Sequence, residues 1–333
     1  MKQITITSND AGRRLDRFLR KYLKNASLGQ IYKIIRKDVK VDGKRKGEEY
    51  MLSEGEVLTL YISDEEFEKL SGGSSAAEGA AAGRKAKKQF KIVYEDENIL
   101  IADKPYGLLT HGDVHEKKNH LANQVKDYLI EQGEYNPREE KVFSPAPANR
   151  IDRNTTGLVL FGKTSPALKA LNEMIREDMV SKFYLTIVHG TIEKELTLES
   201  ALTKDERTNK VRISKDGELN IKTIVRPLQA LDKNCTLVEV ELVTGRSHQI
   251  RAHLASIGHP IIGDTKYANK AAVRLNSYLA DRYKLSTQLL HAYRLEFHSC
   301  AEELAYLTGE QYIAPMPEAF GRILTGLGGK NFG

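Results

Sequence analysis

The sequence predicts an α+β protein in which a small, basic N-terminal domain is joined by a flexible linker to a larger domain. Strand and helix patterns mix in the larger part without a regular βαβ rhythm, which favours a largely antiparallel mixed sheet flanked by helices and loops. With 333 residues, 40% of them hydrophobic, the chain is long enough to build two cores. We place the domains at residues 1–66 and 90–333, with the linker at 67–89.

Positive charge is concentrated near the N-terminus. Residues 13–47 contain thirteen Lys or Arg and only three Asp, a net charge of +10, whereas the whole chain carries +6. A solvated protein surface usually mixes both signs of charge. The excess therefore favours a surface that binds a polyanion.

Two amphipathic helices and a short hairpin account for the N-terminal domain. Apolar residues within 15–22 recur with helical spacing, and Ser27 and Gln30 have the spacing of a capping box that starts a second helix. Asp42 and Gly43 predict a tight turn between short strands, and residues 56–62 alternate as a closing strand.

The linker is predicted from composition. Thirteen of the eighteen residues at 71–88 are Gly, Ala or Ser, and the segment ends in basic residues. Such a segment cannot bury a core, so we expect it to be flexible and to let the two domains move relative to each other.

The larger domain begins with a predicted pair of strands within residues 91–104. A buried strand follows at 158–162, and Ser165-Pro166 opens a helix. Residues 182–190 and 236–242 alternate as strands, and the segment 244–260 turns into a helix with Ile257 on its apolar face and Gly258 as a stop signal.

Asp152 is the first candidate for chemistry. It lies between Arg150 and Arg153 in the stretch NRIDRNTTG, between a loop and a strand. The flanking arginines favour an ionised carboxylate, which acts as a nucleophile or a base rather than as an acid. A structural aspartate that pairs with an arginine and bonds the Thr155–Thr156 turn is the alternative, and the spacing alone favours it.

A second cluster lies around a predicted helix start, where the backbone favours an anion. An arginine here could pair with Asp152 or hold a phosphate; a solvated helix start is the alternative. His248 and His253 are five residues apart and no cysteine pair accompanies them, so we expect no metal site. The cluster comprises Arg246, His248, Gln249, Arg251 and His253.

Tyr184 is the third candidate. Strand alternation puts it on the same face as Lys182 and Thr186, which we expect to be the polar face, opposite Phe183 and Leu185. It could close the sheet, or, in a protein that binds RNA, stack on an extruded base.

Residues 12–63 resemble the small RNA-binding domain named after ribosomal protein S-four. The likeness rests on RRLDRFL, IYKIIRKDVKVDGK and GEVLTLYI, in that order. In that family the basic helix pair lies on RNA, which implies the same role for Arg14, Arg17, Lys33, Arg36 and Lys37.

Five ordered motifs between residues 92 and 298 resemble the ribosomal RNA pseudouridine synthases of the RluA/RluC/RluD type. They are ADKPYGLLTHG, NRIDRNTTGLVLFGK, KFYLTIVHG, LVTGRSHQIRAHLASIGHPIIGD and LLHAYRLEF. The resemblance implies an enzyme that isomerises uridine in RNA, breaking the glycosidic bond, turning the base and rejoining it through carbon.

The same resemblance assigns site residues. The catalytic aspartate corresponds to Asp152, the base-stacking tyrosine to Tyr184, the arginine that pairs with the aspartate to Arg246, and an arginine near the flipped nucleotide to Arg150. Asn149, Ile151 and Thr156 depart from the commonest form of the motif, which weakens substrate assignment more than activity. Whether the aspartate attacks sugar or base, or removes a sugar proton, stays open.

We expect large-subunit ribosomal RNA as the partner, with no metal, no organic cofactor and no membrane, in a cytoplasmic monomer. The sequence has neither a signal peptide pattern nor an apolar stretch long enough to span a bilayer. A non-catalytic RNA-binding or ribosome-assembly protein is the alternative. A carboxylate glycosidase would need a second positioned acid, and no convincing partner is found.

Overall fold

The computed structural model describes residues 1–72, 87–205, 210–214 and 219–330. Most of the predicted linker therefore lies outside the described residues. Its first part is helical, because the helix Asp64–Ser71 continues past residue 66 and ends at Gly72, whose φ is 96°. Glycine adopts this left-handed conformation easily and commonly ends helices. Residues 67–71 thus belong to the N-terminal unit and not to the linker.

The N-terminal unit combines a small antiparallel sheet with three helices. Its elements are β1 (Lys2–Thr5), α1 (Leu15–Tyr22), α2 (Leu28–Asp38), β2 (Val39–Val41), β3 (Val57–Leu60) and α3 (Asp64–Ser71). The strand order is β1-β3-β2. The predicted capping box is confirmed at the start of α2, where the backbone N–H of Ser27 donates to Oε1 of Gln30 at 2.8 Å and the N–H of Gln30 donates to Oγ of Ser27 at 3.4 Å.

The predicted hairpin at Asp42 and Gly43 is only partly correct. Both residues have positive φ, 48° and 73°, as a tight turn requires. The residues after the turn, however, form only one isolated bridge, Val41 with Lys44, and β2 pairs instead with β3. The segment after the turn is a run of basic residues, which offers no apolar side chains to the core.

The larger unit is built on one extended sheet. Its strands are β4 (Lys91–Glu95), β5 (Ile99–Lys104), β6 (Ala146–Pro147), β7 (Thr156–Gly162), β8 (Val180–His189), β9 (Leu196–Asp205), β10 (Lys210–Ser214), β11 (Leu219–Leu231), β12 (Cys235–Leu242), β13 (Leu290–Phe297) and β14 (Gln311–Ile313). The main order is β10-β9-β11-β12-β8-β13-β7-β5-β4, with β14 beside β13 and β6 beside β7.

Helices cover the sheet. They are α4 (Leu121–Glu131), α5 (Ser165–Arg176), α6 (Gln249–Ser256), α7 (Lys270–Tyr283) and α8 (Glu318–Gly326), with a 3₁₀ turn at Glu302–Leu307. None of the helices in the described ranges combines the length and apolar composition that a membrane crossing requires.

Both faces of the central sheet are buried. In β7, Leu158 and Leu160 join one apolar cluster while Val159 and Phe161 join another on the opposite face, and all four are fully buried. The side chains on both faces of β8 are buried too, so the prediction of a polar face around Tyr184 is wrong. Tyr184 packs in an apolar cluster. Thr186 is also buried, and its hydroxyl is satisfied by donating to the carbonyl of Leu289 at 2.7 Å.

Among the strand pairs of the described residues, β7 with β13 is the parallel one; the others are antiparallel, as the sequence predicts for most of the sheet. The two strands approach closely at Gly157, whose φ is 107°. A Cβ at this position would lie 2.0 Å from the carbonyl oxygen of Ala292. Only glycine fits here, which gives the glycine in the turn after Asp152 a packing reason.

The two units touch each other. Oδ1 of Asn9 accepts the backbone N–H of Ser165 at the start of α5 at 2.8 Å, and Lys169 donates to the carbonyl of Ala11 at 3.0 Å. Val142 of the larger unit packs in the core of the N-terminal unit. The units are therefore held together by polar and apolar contacts, whereas the linker composition predicts free movement.

Candidate active site

A cavity of about 960 Å³ opens on one face of the sheet and contains Asp152. Its wall also includes Tyr184 of β8, Arg246 and Arg251 around the start of α6, and Arg150. The structure thus brings together the three candidate regions that the sequence singles out. The contacts inside the cavity decide what each residue does.

Lys104, a fully buried lysine at the end of β5, holds the loop that carries Asp152 by hydrogen bonds. Its ammonium group donates to the carbonyl oxygens of Leu108 at 2.7 Å, Arg153 at 2.9 Å and Pro105 at 3.1 Å. Burial lowers the pKa of Lys104 to about 7, against the opposing charges of Asp152 and Asp103. Three carbonyl acceptors match the three N–H bonds of an ammonium group.

Thr110 fixes the same loop from the other side. Its hydroxyl donates to the carbonyl of Ile151 at 2.9 Å and accepts the backbone N–H of Ile151 at 3.3 Å. The backbone N–H of Thr155 closes a turn on the carbonyl of Asp152 at 3.1 Å. The carboxylate is therefore presented into the cavity by a loop whose backbone is held on both sides.

Arg251 is the arginine that pairs with Asp152. Its Nη1 lies 3.0 Å from Oδ2 of Asp152, while Nε and Nη2 bind the two carboxylate oxygens of Asp264 at 2.7 and 3.1 Å. Burial opposes the charge on Arg251, but the hydrogen bonds to Asp264 and Asp152 raise its pKa. Asp264 thus orients a fixed cation against the candidate catalytic carboxylate.

The assignment of this pairing to Arg246 is wrong. Arg246 lies in the exposed turn before α6, whereas Arg251 is on the buried face of that helix. Arg246 lines the cavity, but among the described residues its side chain forms no ion pair. The arginines that flank Asp152 do not pair with it either: Arg153 lies 3.7 Å from Asp113, and Arg150 is exposed on the cavity wall.

His248 lies beside the ion pair. It caps α6 in the left-handed conformation, with φ 54°, and its Nδ1 is 3.0 Å from the hydroxyl of Tyr267. Its Nε2 is 3.9 Å from Oδ2 of Asp152, which is outside hydrogen-bond distance. Burial lowers the pKa of His248 despite the nearby carboxylate of Asp152. We therefore expect a neutral imidazole here at neutral pH.

Tyr184 closes the apolar side of the cavity. It is 5% exposed and packs in a cluster with Val240 and Ala292 of the neighbouring strands. Burial and the charge of Asp152 raise the pKa of its phenol, so the hydroxyl stays protonated. A buried aromatic ring next to a carboxylate is suited to hold a planar base.

The residues predicted to bind RNA have mixed surroundings. Arg17, Lys33, Arg36 and Lys37 are exposed on α1 and α2, as a contact surface requires. Arg14, by contrast, forms ion pairs with Asp16 at 2.9 Å and Glu49 at 2.8 Å, which hold it within its own unit.

No group of three or more His, Cys, Asp or Glu in the described part of the chain is arranged to hold a metal ion. His248 and His253 do not share a site. His253 points into the sheet, where its Nδ1 lies 2.9 Å from the hydroxyl of Thr223.

The sequence did not predict the roles of Lys104 and Asp264, and the arginine that pairs with Asp152 is Arg251 instead of the predicted Arg246. The burial of Lys104 was not predicted because a lysine at the end of a strand is usually exposed to solvent. Asp264 and Arg251 both lie in the quoted motif that ends in PIIGD, so that motif contained the signal. The helical phase at the start of α6 was the missing information, because it decides which arginine faces inward.

Comparisons with known proteins point to one family. A family model described as RNA pseudouridylate synthase matches residues 98–256. The ribosomal large subunit pseudouridine synthase C of Vibrio vulnificus is 32% identical over 97% of this chain and 96% of its own length. The protein of the same name from Escherichia coli is also 32% identical, with the same coverage. The chain belongs to the RNA pseudouridylate synthase family.

The fold of the synthase agrees with this membership. The solved structure of human RNA pseudouridylate synthase domain containing 4 matches with a TM-score of 0.53 and 20% identity, over 76% of this chain and 97% of that chain. The synthase is an enzyme that isomerises uridine in RNA. This favours the enzymatic interpretation over the non-catalytic RNA-binding protein that the sequence left open.

Proposed function

We propose that the synthase converts uridine to pseudouridine in large-subunit ribosomal RNA and that Asp152 is its essential carboxylate. The observation that carries the proposal is the ion pair of Asp152 with Arg251 on the wall of the cavity, which the buried Tyr184 also lines. The substrate class is taken from the named relatives, which act on the large ribosomal subunit.

The geometry supports separate roles for Tyr184 and Asp152. The uridine leaves the RNA stack and enters the cavity, where the ring of Tyr184 supports the base. Asp152, positioned by the guanidinium of Arg251, acts as nucleophile or base on the nucleoside. Because Asp264 already binds two nitrogens of that guanidinium, the ion pair is in place before substrate arrives.

The N-terminal unit supplies the second RNA contact in this proposal. Its likeness to the S-four-type domain and the exposed cations of α1 and α2 support a role in holding ribosomal RNA. We propose a monomer as the acting unit. We propose the cytoplasm as the compartment in which it acts.

Release of tritium from ribosomal RNA labelled at carbon five of uridine tests the function, because the new bond to C1′ forms at that carbon. We expect wild-type protein to release tritium and Asp152→Asn to be inactive. Asp281→Asn, a matched change at an exposed aspartate on α7, keeps wild-type release. Activity in Asp152→Asn refutes the role of the carboxylate, and no release by wild type from any ribosomal RNA refutes the proposed substrate.

A further inference from the structure

Gln288 offers an unused carboxamide to the cavity. It lies just before β13, is 5% exposed and lines the cavity together with Asp152 and Tyr184. Among the residues that the structure describes, its side chain has no hydrogen-bond partner. Because Gln288 lines the cavity, its unpaired carboxamide is available there to a ligand that offers a matching donor and acceptor.

The chain makes contacts on both sides of Gln288, through the backbone of Leu289 and through the side chain of Thr287. The N–H of Leu289 donates to the carbonyl of Ile262 at 3.1 Å, and the carbonyl of Leu289 accepts the hydroxyl of Thr186 at 2.7 Å. On the other side, the hydroxyl of Thr287 donates to that of Tyr106 at 3.2 Å. The carboxamide therefore extends from a chain segment that is already ordered, which reduces the entropy that a ligand must overcome.

Sheet register places Gln288 near the stacking position. Ala292 of β13 lies opposite Tyr184 of β8, and Leu290 lies opposite Thr186. Side chains alternate along a strand, so residues 288, 290 and 292 share a face where the segment before β13 stays extended. Leu290 and Ala292 belong to the same apolar cluster as Tyr184. Gln288 thus lies toward one end of the surface on which Tyr184 receives the base.

A carboxamide suits one edge of uracil. The N3–H of uracil is a donor flanked by the keto oxygens O2 and O4, and a carboxamide accepts through its oxygen and donates through its nitrogen. Two other polar groups in the cavity lack this pair: the ammonium of Lys182 only donates, and the oxygen of Asn149 already accepts the N–H of Leu160 at 2.8 Å. Asn154 carries the same group but is only half-buried, so water can hydrate it.

We propose that Gln288 binds the N3 edge of the flipped uracil, accepting N3–H and donating to the adjacent keto oxygen, and keeps this contact while the base turns. The inference rests on the proposed function. Isomerisation breaks the N1–C1′ bond and forms C5–C1′; the hydrogen at C5 leaves as a proton and N1 gains one, so no oxidant or reductant is needed.

The symmetry of the ring makes one contact sufficient for both states. Exchanging N1 for C5 amounts to a half-turn about the line through N3 and C6. That half-turn leaves N3–H in place and exchanges O4 with O2. Gln288 therefore meets the same donor and acceptor pattern in uridine and in pseudouridine, and it acts as a pivot for the detached base.

A cycle that changes both the protein and the RNA tests the contact. The protein variants are wild type and Gln288→Met, which keeps the size of the side chain but removes both polar groups. The RNA is a synthetic fragment around a uridine that the wild-type synthase modifies, carrying either uridine or 3-deazauridine, which lacks N3–H, at that position. Single-turnover rates and fragment affinity are measured for all four combinations.

We expect each single change to lower the turnover rate or the affinity about 10- to 100-fold, because each leaves a buried polar group unpaired. Combined, the two changes should cost little more than one of them. Gln288→Glu should show an intermediate loss, since it keeps an acceptor for N3–H but loses the donor. Gln132→Met, at an exposed glutamine, is the control and keeps wild-type values.

Additive losses in the cycle, or wild-type turnover by Gln288→Met, overturn the inference while the proposed function stands. If the wild-type synthase modifies no uridine in ribosomal RNA, the proposed function fails first. Thermal melting of Gln288→Met shows whether the fold is intact, and Gln288→Glu provides the comparison if it is not.

Discussion

Arg251 connects two carboxylates that have different surroundings. Asp264 is 1% exposed and binds two of its nitrogens, whereas Asp152 is partly exposed in the cavity and binds the third. The buried pair fixes the guanidinium, and the guanidinium then fixes Asp152. The flanking arginines were predicted to favour the charge on Asp152, but the arginine that pairs with it is 99 residues away in the sequence.

A matched pair of variants separates the two arginines. We expect Arg251→Met to lower turnover at least about 100-fold and to lower the melting temperature, because it leaves Asp264 buried without its partner. Arg246→Met should fold normally and retain turnover at saturating RNA, with any loss confined to affinity. Turnover that depends on Arg246 and not on Arg251 would contradict the geometry. Single-turnover kinetics and thermal melting supply both measurements.

The buried His253 predicts a pH dependence of stability. Burial lowers its pKa in the folded state to about 4, below the unfolded value of about 6.5. The unfolded chain therefore binds more protons between these values, and the free energy of unfolding falls as the pH drops from 6.5 to 4. His253→Gln should reduce this slope by about 1.4 kcal/mol per pH unit. Urea unfolding at several pH values measures it, and an unchanged slope would show that His253 does not titrate this way.

At the scale of elements, much of the fold follows from local patterns. The strand pair within residues 91–104, the helix that starts at Ser165 and the capping box at Ser27 all form as predicted. The burial of Lys182 and Thr186 could not be read from alternation, because alternation indicates polar and apolar faces only where one face of a sheet meets water.

The candidate site follows from the sequence in part. Asp152 and Tyr184 line one cavity as the motif order implies, but their charged partner was misassigned. The helix start at Gln249 sets which side chains face the cavity, and a shift of a few residues in that start changes the facing residue. Contacts that depend on the phase of a short helix need the structure.

Lys104 links the end of β5 to the loop of Asp152, so it tests whether loop position controls turnover. We expect Lys104→Met to lower the single-turnover rate by about tenfold or more while RNA affinity stays near the wild-type value, because small displacements of a reactive group are costly. Lys91→Met, at an exposed lysine on β4, is the control. Equal losses in rate and affinity would indicate general destabilisation and not a displaced carboxylate.

At the scale of the whole molecule, the contact between the units sets the direction in which the basic helices face. Asn9 accepts a backbone hydrogen bond at the start of α5, and Val142 packs in the core of the N-terminal unit. If α1 and α2 bind RNA as proposed, that RNA is therefore held at a fixed position relative to the larger unit. Deleting residues 1–70 removes both the cations and this contact.

Charge removal without deletion separates the two effects. The triple variant Lys33→Gln, Arg36→Gln and Lys37→Gln should weaken RNA binding and reduce the slope of log affinity against log salt by about 2, because fewer phosphates are neutralised. Matched changes on α7 at Lys270, Arg274 and Arg282, all exposed, should leave the slope nearly unchanged. Equal slopes for both triple variants would show that the basic helices face away from RNA.

The parallel pairing of β7 with β13 has a consequence for how the enzyme is made. It joins Thr156 and Gly157 to His291 and Ala292, so the strand that follows Asp152 gains this neighbour only after residue 292 has been synthesised. Pairings between distant parts of a chain form slowly and leave strand edges open in the meantime. A nascent chain that has not reached β13 therefore carries Asp152, Tyr184 and Arg251 but lacks the strand that lies between β7 and β8. We therefore expect activity only after β13 has been synthesised.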